Sequence, residues 1–153
     1  MLLRVSQFIS ILTAALAGGM FWGPWLALTV SIRRFSPEIF LALVAQLSRN
    51  IGAVMKVLLP LALLLMVPVL VLTHGQRPTA FYCTLGGLVL YAAALLVTVR
   101  IEVPLVKQME RWTVDTLPPH WTQVRDRWAS FHIVRVVTAV AGLGLLIAGA
   151  LAH

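Results

Sequence analysis

Residues 121–142 read WTQVRDRWASFHIVRVVTAVAG, and how this stretch is read decides the fold. Trp121, Arg125, Trp128, His132 and Arg135 are spaced four, three, four and three apart. On a helix of 3.6 residues per turn that is one stripe. The stripe continues as Ala139 and Gly142. Small residues on a membrane helix face other helices, because they let two backbones approach. A stripe that runs from Arg, Trp and His into Ala and Gly is therefore expected to point into a bundle rather than at lipid.

The rest of the chain supplies the bundle. It has 153 residues, 60% hydrophobic and only 11% charged, against about 25% charged in an average globular domain. A soluble protein of this composition would lack the polar surface to cover itself. Residues 5–32 and 78–99 hold no Asp, Glu, Lys or Arg, and each run exceeds the ~18 residues of a spanning helix. The shorter runs 57–73 and 136–152 reach spanning length when a few flanking polar residues are included. The expected fold is all-α: an antiparallel bundle of four transmembrane helices forming a single domain, 1–153. The N-terminal stretch MLLRVSQFISILTAALAGG has the basic start and Ala-x-Ala pattern of a secretory signal. Its apolar run continues through MFWGPWLALTVSI, however, so it is read as a retained first span.

Span one is expected over about 8–31, with Gly19 and Gly23 placed for close approach of another helix. After the loop RRFSPE, residues 37–73 read as one long helix with an amphipathic first half, where Gln46, Arg49, Asn50 and Lys56 share a side. Pro60 and Pro68 should bend its apolar half. THGQRPT is a tight turn. Span three, from about 79 to 99, is expected to continue beyond the membrane as RIEVPLVKQMERWTVD, and TLPPHW breaks it. A final helix from about 119 to 151 would be about 50 Å long, against a hydrocarbon core of about 30 Å. Helices three and four are thus expected to extend past the bilayer as a pair.

Lys and Arg are distributed unevenly. Arg33, Arg34, Arg49, Arg100, Lys107, Arg111, Arg125 and Arg127 fall in the two loops on one side, and only Arg4 and Arg77 on the other. The positive-inside rule places the basic loops in the cytoplasm and both termini outside, in a bacterial inner (cytoplasmic) membrane. The net charge of +7 is explained by this topology and by anionic lipid head groups. Membrane lipids are therefore the expected partners and nucleic acid is not.

With four antiparallel spans, Asn50, Lys56, Arg100, Glu102, His132 and Arg135 all lie at one end. Arg135 sits one turn inside the last span, and Glu102 is the carboxylate placed to pair with it. Lys, Arg and Trp at span ends also serve as interfacial anchors, so the argument for a site rests on the stripe as a set. The single cysteine, Cys83, excludes an internal disulfide. No HExxH, CxxCH, phosphate loop, dinucleotide fingerprint or serine nucleophile motif is present; no metal site and no cofactor is expected.

Three features of the chain resemble the anthrone oxygenase-like family, small four-helix membrane proteins otherwise grouped as a domain of unknown function. They are the glycine-rich first span LAGGMFWG, the Val-Pro and polar helix of EVPLVKQMERW, and the Trp, Arg-x-Trp, His and Arg of WTQVRDRWASFHIVR. Where the family carries Asn soon after Val-Pro, this chain has Leu105 and Val106. The resemblance implies oxidation of an anthrone, or binding of a flat aromatic or quinone-type molecule, without metal or flavin. His132 would be the base, and Arg125 and Arg135 would hold the oxyanion. Trp121 and Trp128 would stack on the rings, with Glu102, Asn50 and Lys56 as further ligand contacts. A catalytic site of this kind predicts a cavity at the polar end with His132 exposed to it. The alternative is a non-catalytic accessory subunit held by partner membrane subunits, or a lipid-binding protein.

Overall fold

The computed structural model describes residues 1–152. Helix α1 covers Leu2–Ala27 and leads through a 3₁₀ turn, Thr29–Arg34, into α2, Pro37–Thr73. A tight turn closed by Gly75, whose φ of 72° suits glycine, joins α2 to α3, Pro78–Met109. The loop 110–120 leads to α4, Trp121–Leu151. All four helices are long and apolar enough to cross a membrane. They run antiparallel, with α1 packed on α2 and α4, and α3 packed on α2 and α4. At 1.5 Å per residue the 32 residues of α3 and 31 of α4 span about 48 and 46 Å, beyond the ~30 Å of a hydrocarbon core.

The stripe read from the sequence is the buried seam of α4. Arg125, Trp128, His132, Arg135, Ala139, Gly142, Leu146 and Gly149 are all buried, a three–four alternation typical of helices packed nearly antiparallel. Lipid-type contacts are left to the outer faces, where Leu64, Val71, Val89, Val137 and many other apolar side chains are exposed.

Where helices touch most closely is not where the sequence placed it. A Cβ on Gly19 or Gly23 would meet nothing within 4 Å. The seam of α1 instead uses Ala14, Ala17, Gly18 and Phe21. The close approach is between α3 and α4, where a Cβ on Gly142 would lie 2.9 Å from the Tyr91 ring and one on Gly149 2.9 Å from Cys83.

The third helix also stops earlier than expected, at Met109 rather than near Asp115. Thr113 and Thr116 bond each other's backbone and hydroxyls, and such side-chain bonds compete with the helical ladder. The last helix begins at Trp121, just after Pro118-Pro119-His120.

Both α2 and α3 contain a π-helical turn at the polar end, at Ser48–Gly52 and Thr98–Glu102. The second has a local cause in Pro104, which lacks the N–H that Arg100 would otherwise receive and whose ring crowds that carbonyl. Its consequence is a change of register. Buried positions of α3 run Ala80, Thr84, Gly87, Tyr91, Ala94, then Glu102, Leu105, Met109. Strict alternation from Ala94 through Thr98 would bring Ile101 inward; the extra residue of the wide turn brings Glu102 instead.

Candidate functional site

Two apolar cores stack along the bundle. The larger includes Ala14, Phe21, Leu59, Met66, Tyr91 and Ala139. The smaller caps the polar end with Ile32, Phe40, Val44, Leu105, Met109 and Trp128. Between them lies a layer of buried polar side chains from α3 and α4, where Glu102 is 2%, His132 4% and Arg135 9% exposed.

Arg135 is the centre of this layer. Its Nη2 donates to Glu102 Oε2 at 2.9 Å, the ion pair expected from the depth of the two residues in the sequence. Nη2 also lies 2.6 Å from His132 Nδ1, and Nη1 lies 3.5 Å from Thr98 Oγ1. The guanidinium stacks over Phe21, 4.8 Å from the ring centroid, a cation–π contact that suits a desolvated charge. A guanidinium only donates, so His132 Nδ1 accepts. The ring proton therefore sits on Nε2, which donates to the Phe21 carbonyl at 3.0 Å. His132 is a neutral imidazole clamped between α1 and Arg135, with the Trp128 indole stacked on it at 5.6 Å.

The sequence missed two members of this layer. Phe21 offers a ring to Arg135 and a carbonyl to His132, and Thr98 reaches Arg135 from the π-helical turn. Phe21 stands inside LAGGMFWG, but nothing in spacing points to its backbone oxygen.

The remaining candidates separate from this layer. Arg125 is ten residues before Arg135, about 15 Å along the helix, and the two cannot grip one small oxyanion. Arg125 is buried against Trp121, 5.1 Å from the ring, and pairs with the neighbouring Asp126 at 2.9 Å. Asp126 also meets Arg33, at 3.4 Å. Trp121 packs on Phe40 at 5.8 Å in the smaller core. Asn50 and Lys56 are exposed on the outer side of α2 and join neither group.

A catalytic base was expected to face a cavity, whereas His132 is buried and lines neither of two grooves found among the described residues. One groove of about 290 Å³ lies between the end of α1 and α4, with Trp25, Thr29, Ile32, Asp126, Ala129 and Ile133 in its walls. A second, of about 490 Å³, lies where the end of α3 passes into the following loop, along Lys107, Gln108, Arg111 and Trp112. Among the described residues, no three His, Cys, Asp or Glu side chains converge as a metal site.

The architecture is thus a four-helix bundle of membrane-spanning length with a sealed Arg–Glu–His layer near one end. In sequence, residues 8–145 match the family described as anthrone oxygenase, and the chain belongs to that family. No curated protein and no solved structure matches it.

Proposed function

We propose that this protein is a membrane-embedded oxygenase of the anthrone type, acting without metal or flavin on a flat aromatic molecule at the Arg135–His132–Glu102 layer. The observation that carries the reading is the buried guanidinium of Arg135, held by a carboxylate and a neutral imidazole between two apolar cores. An anthrone needs three things from such a place. A base takes the acidic benzylic proton, a cation stabilises the resulting enolate oxygen, and apolar walls hold the rings. The enolate passes one electron to dioxygen; the radical and superoxide combine at the same carbon. Loss of water from that hydroperoxide leaves a ketone. One dioxygen is consumed, giving one quinone carbonyl and one water.

In this scheme His132 takes the proton at Nδ1, the nitrogen that now accepts from Arg135. A proton there would face the guanidinium and displace it toward the developing oxyanion. His132 thus couples proton removal to the freeing of Arg135. Substrate arriving from the lipid would enter by the groove at the α1–α4 seam, beside Trp25 and Ile133. The same sealing of His132 favours a second reading, a non-catalytic subunit in which the layer is only a clamp between helices.

Oxygen uptake by purified protein in lipid nanodiscs, with anthrone as probe and the quinone followed by absorbance, separates the two. His132→Gln should lower the rate by about 10²-fold or more, the usual contribution of a positioned base, with helix content unchanged. A wild-type rate no faster than empty nanodiscs refutes the oxygenase reading.

A further inference from the structure

The ion pair at the centre of the site is only half made. Arg–carboxylate pairs often form two parallel bonds, but here a single one joins Arg135 Nη2 to Glu102 Oε2. Arg135 Nε and Glu102 Oε1 are both buried without a hydrogen-bond partner among the described residues. The indole Nε1 of Trp128 faces the Glu102 carboxylate but falls short of hydrogen-bond geometry with it. All three side chains are about nine-tenths buried or more.

Native proteins rarely leave such groups unmatched, and a cluster of three calls for a ligand. The unmet set is one acceptor and two donors. Its complement is a group that gives one hydrogen and accepts two, which describes a hydroxyl. A ketone oxygen would accept from both donors and leave the carboxylate oxygen unsatisfied. An ether would do the same.

We propose that Glu102 Oε1, Trp128 Nε1 and Arg135 Nε form a receptor for one hydroxyl group of an aromatic ligand. The hydroxyl hydrogen goes to Glu102, and its oxygen accepts from the indole and the guanidinium. Water has the same hydrogen-bonding chemistry. This deepens the reading above by stating what the aromatic molecule must carry, and it rests on that reading for the location of the rings. Glu102 is then a binding residue as well as a counter-charge. The Trp128 indole N–H, rather than its ring alone, selects the ligand.

The test compares 2-naphthol with 2-methoxynaphthalene, which has the same rings but no hydroxyl hydrogen, on the full chain in nanodiscs. Binding is read by quenching of tryptophan fluorescence. Wild type should bind the naphthol about tenfold or more tightly than the ether, because a site built around a hydroxyl rejects the analogue lacking it. Trp128→Phe keeps a ring against His132 and removes only the N–H. It should bring the two affinities within about twofold, with unchanged helix content and elution volume. Glu102→Gln should reduce the preference in the same direction. Equal binding of the two probes by wild type, or a preference that survives Trp128→Phe, overturns the receptor. Binding of neither probe leaves water as the sole occupant and overturns it equally. Loss of anthrone oxidation with the naphthol preference intact removes the oxygenase and leaves the receptor standing; the reverse result removes the receptor alone.

Discussion

The two ends of the bundle are held together by different physics. In the apolar half, α3 and α4 meet through glycine backbones, and a long-range hydrogen bond runs from the Tyr91 hydroxyl across the bundle to the Ala14 carbonyl at 2.7 Å. In the polar layer, a charge pair, an imidazole bridge and a cation–π contact join three helices around Arg135. The first arrangement stabilises by close packing, with little to lose at any one contact. The second concentrates its stability in a few groups, because each desolvated charge depends on its partner. A site that must exchange partners during a reaction belongs in the second kind of region.

The comparison breaks most visibly at Arg135. Arg135→Leu leaves Glu102 buried and unpaired and should destabilise by about 3–5 kcal/mol. Adding Glu102→Gln removes the orphaned charge and should restore part of the loss. Unfolding curves in detergent for the two single variants and the double variant close the cycle, and simple additivity would dissolve the proposed coupling.

In the apolar half the sensitive point is a missing side chain. Gly142→Ala places a Cβ against the Tyr91 ring, and such overpacking costs about 1–3 kcal/mol. Gly19→Ala, one face away, should be neutral or mildly stabilising through helix propensity. Equal losses at the two positions in the same assay would contradict the seam described here.

Tyr91→Phe comes next. The Ala14 carbonyl keeps its place in the ladder of α1, so the loss should be about 0.5–1.5 kcal/mol. A larger fall in melting temperature than that of Gly142→Ala would show that the apolar half also depends on a single polar contact. Smallest of all, Asn50→Ala and Lys56→Ala remove exposed side chains and should stay within about 0.5 kcal/mol. They should leave naphthol affinity unchanged; a change above about threefold would return α2 to the site.

Much of this was legible in the chain. Four apolar runs, a basic loop pair and a stripe of large polar residues passing into Ala and Gly define the bundle, because burial of a periodic face follows from helix geometry alone. The Arg135–Glu102 pair was legible too, since a guanidinium at that depth needs a carboxylate and Asp126 lies two turns further out. The grouping of Arg125 and Trp121 with His132 was not, because a shared face says nothing of height, and about two and three turns of helix separate them from it. Asn50 and Lys56 share the polar end with the layer, yet the end of a bundle has an outer side as well as an inner one.

What the sequence determined by itself is the set of helices, their antiparallel order and the face of α4 that is buried. These depend on period and composition, which any window of the chain carries. What only the tertiary structure decided is which groups meet. The wide turn before Pro104 rotates Glu102 rather than Ile101 into the seam, the Phe21 carbonyl sets the His132 tautomer, and Arg135 Nε and Glu102 Oε1 are left without a partner among the described residues. Each of these depends on a register or backbone atom contributed by a different helix, and periodicity within one helix holds no information about either.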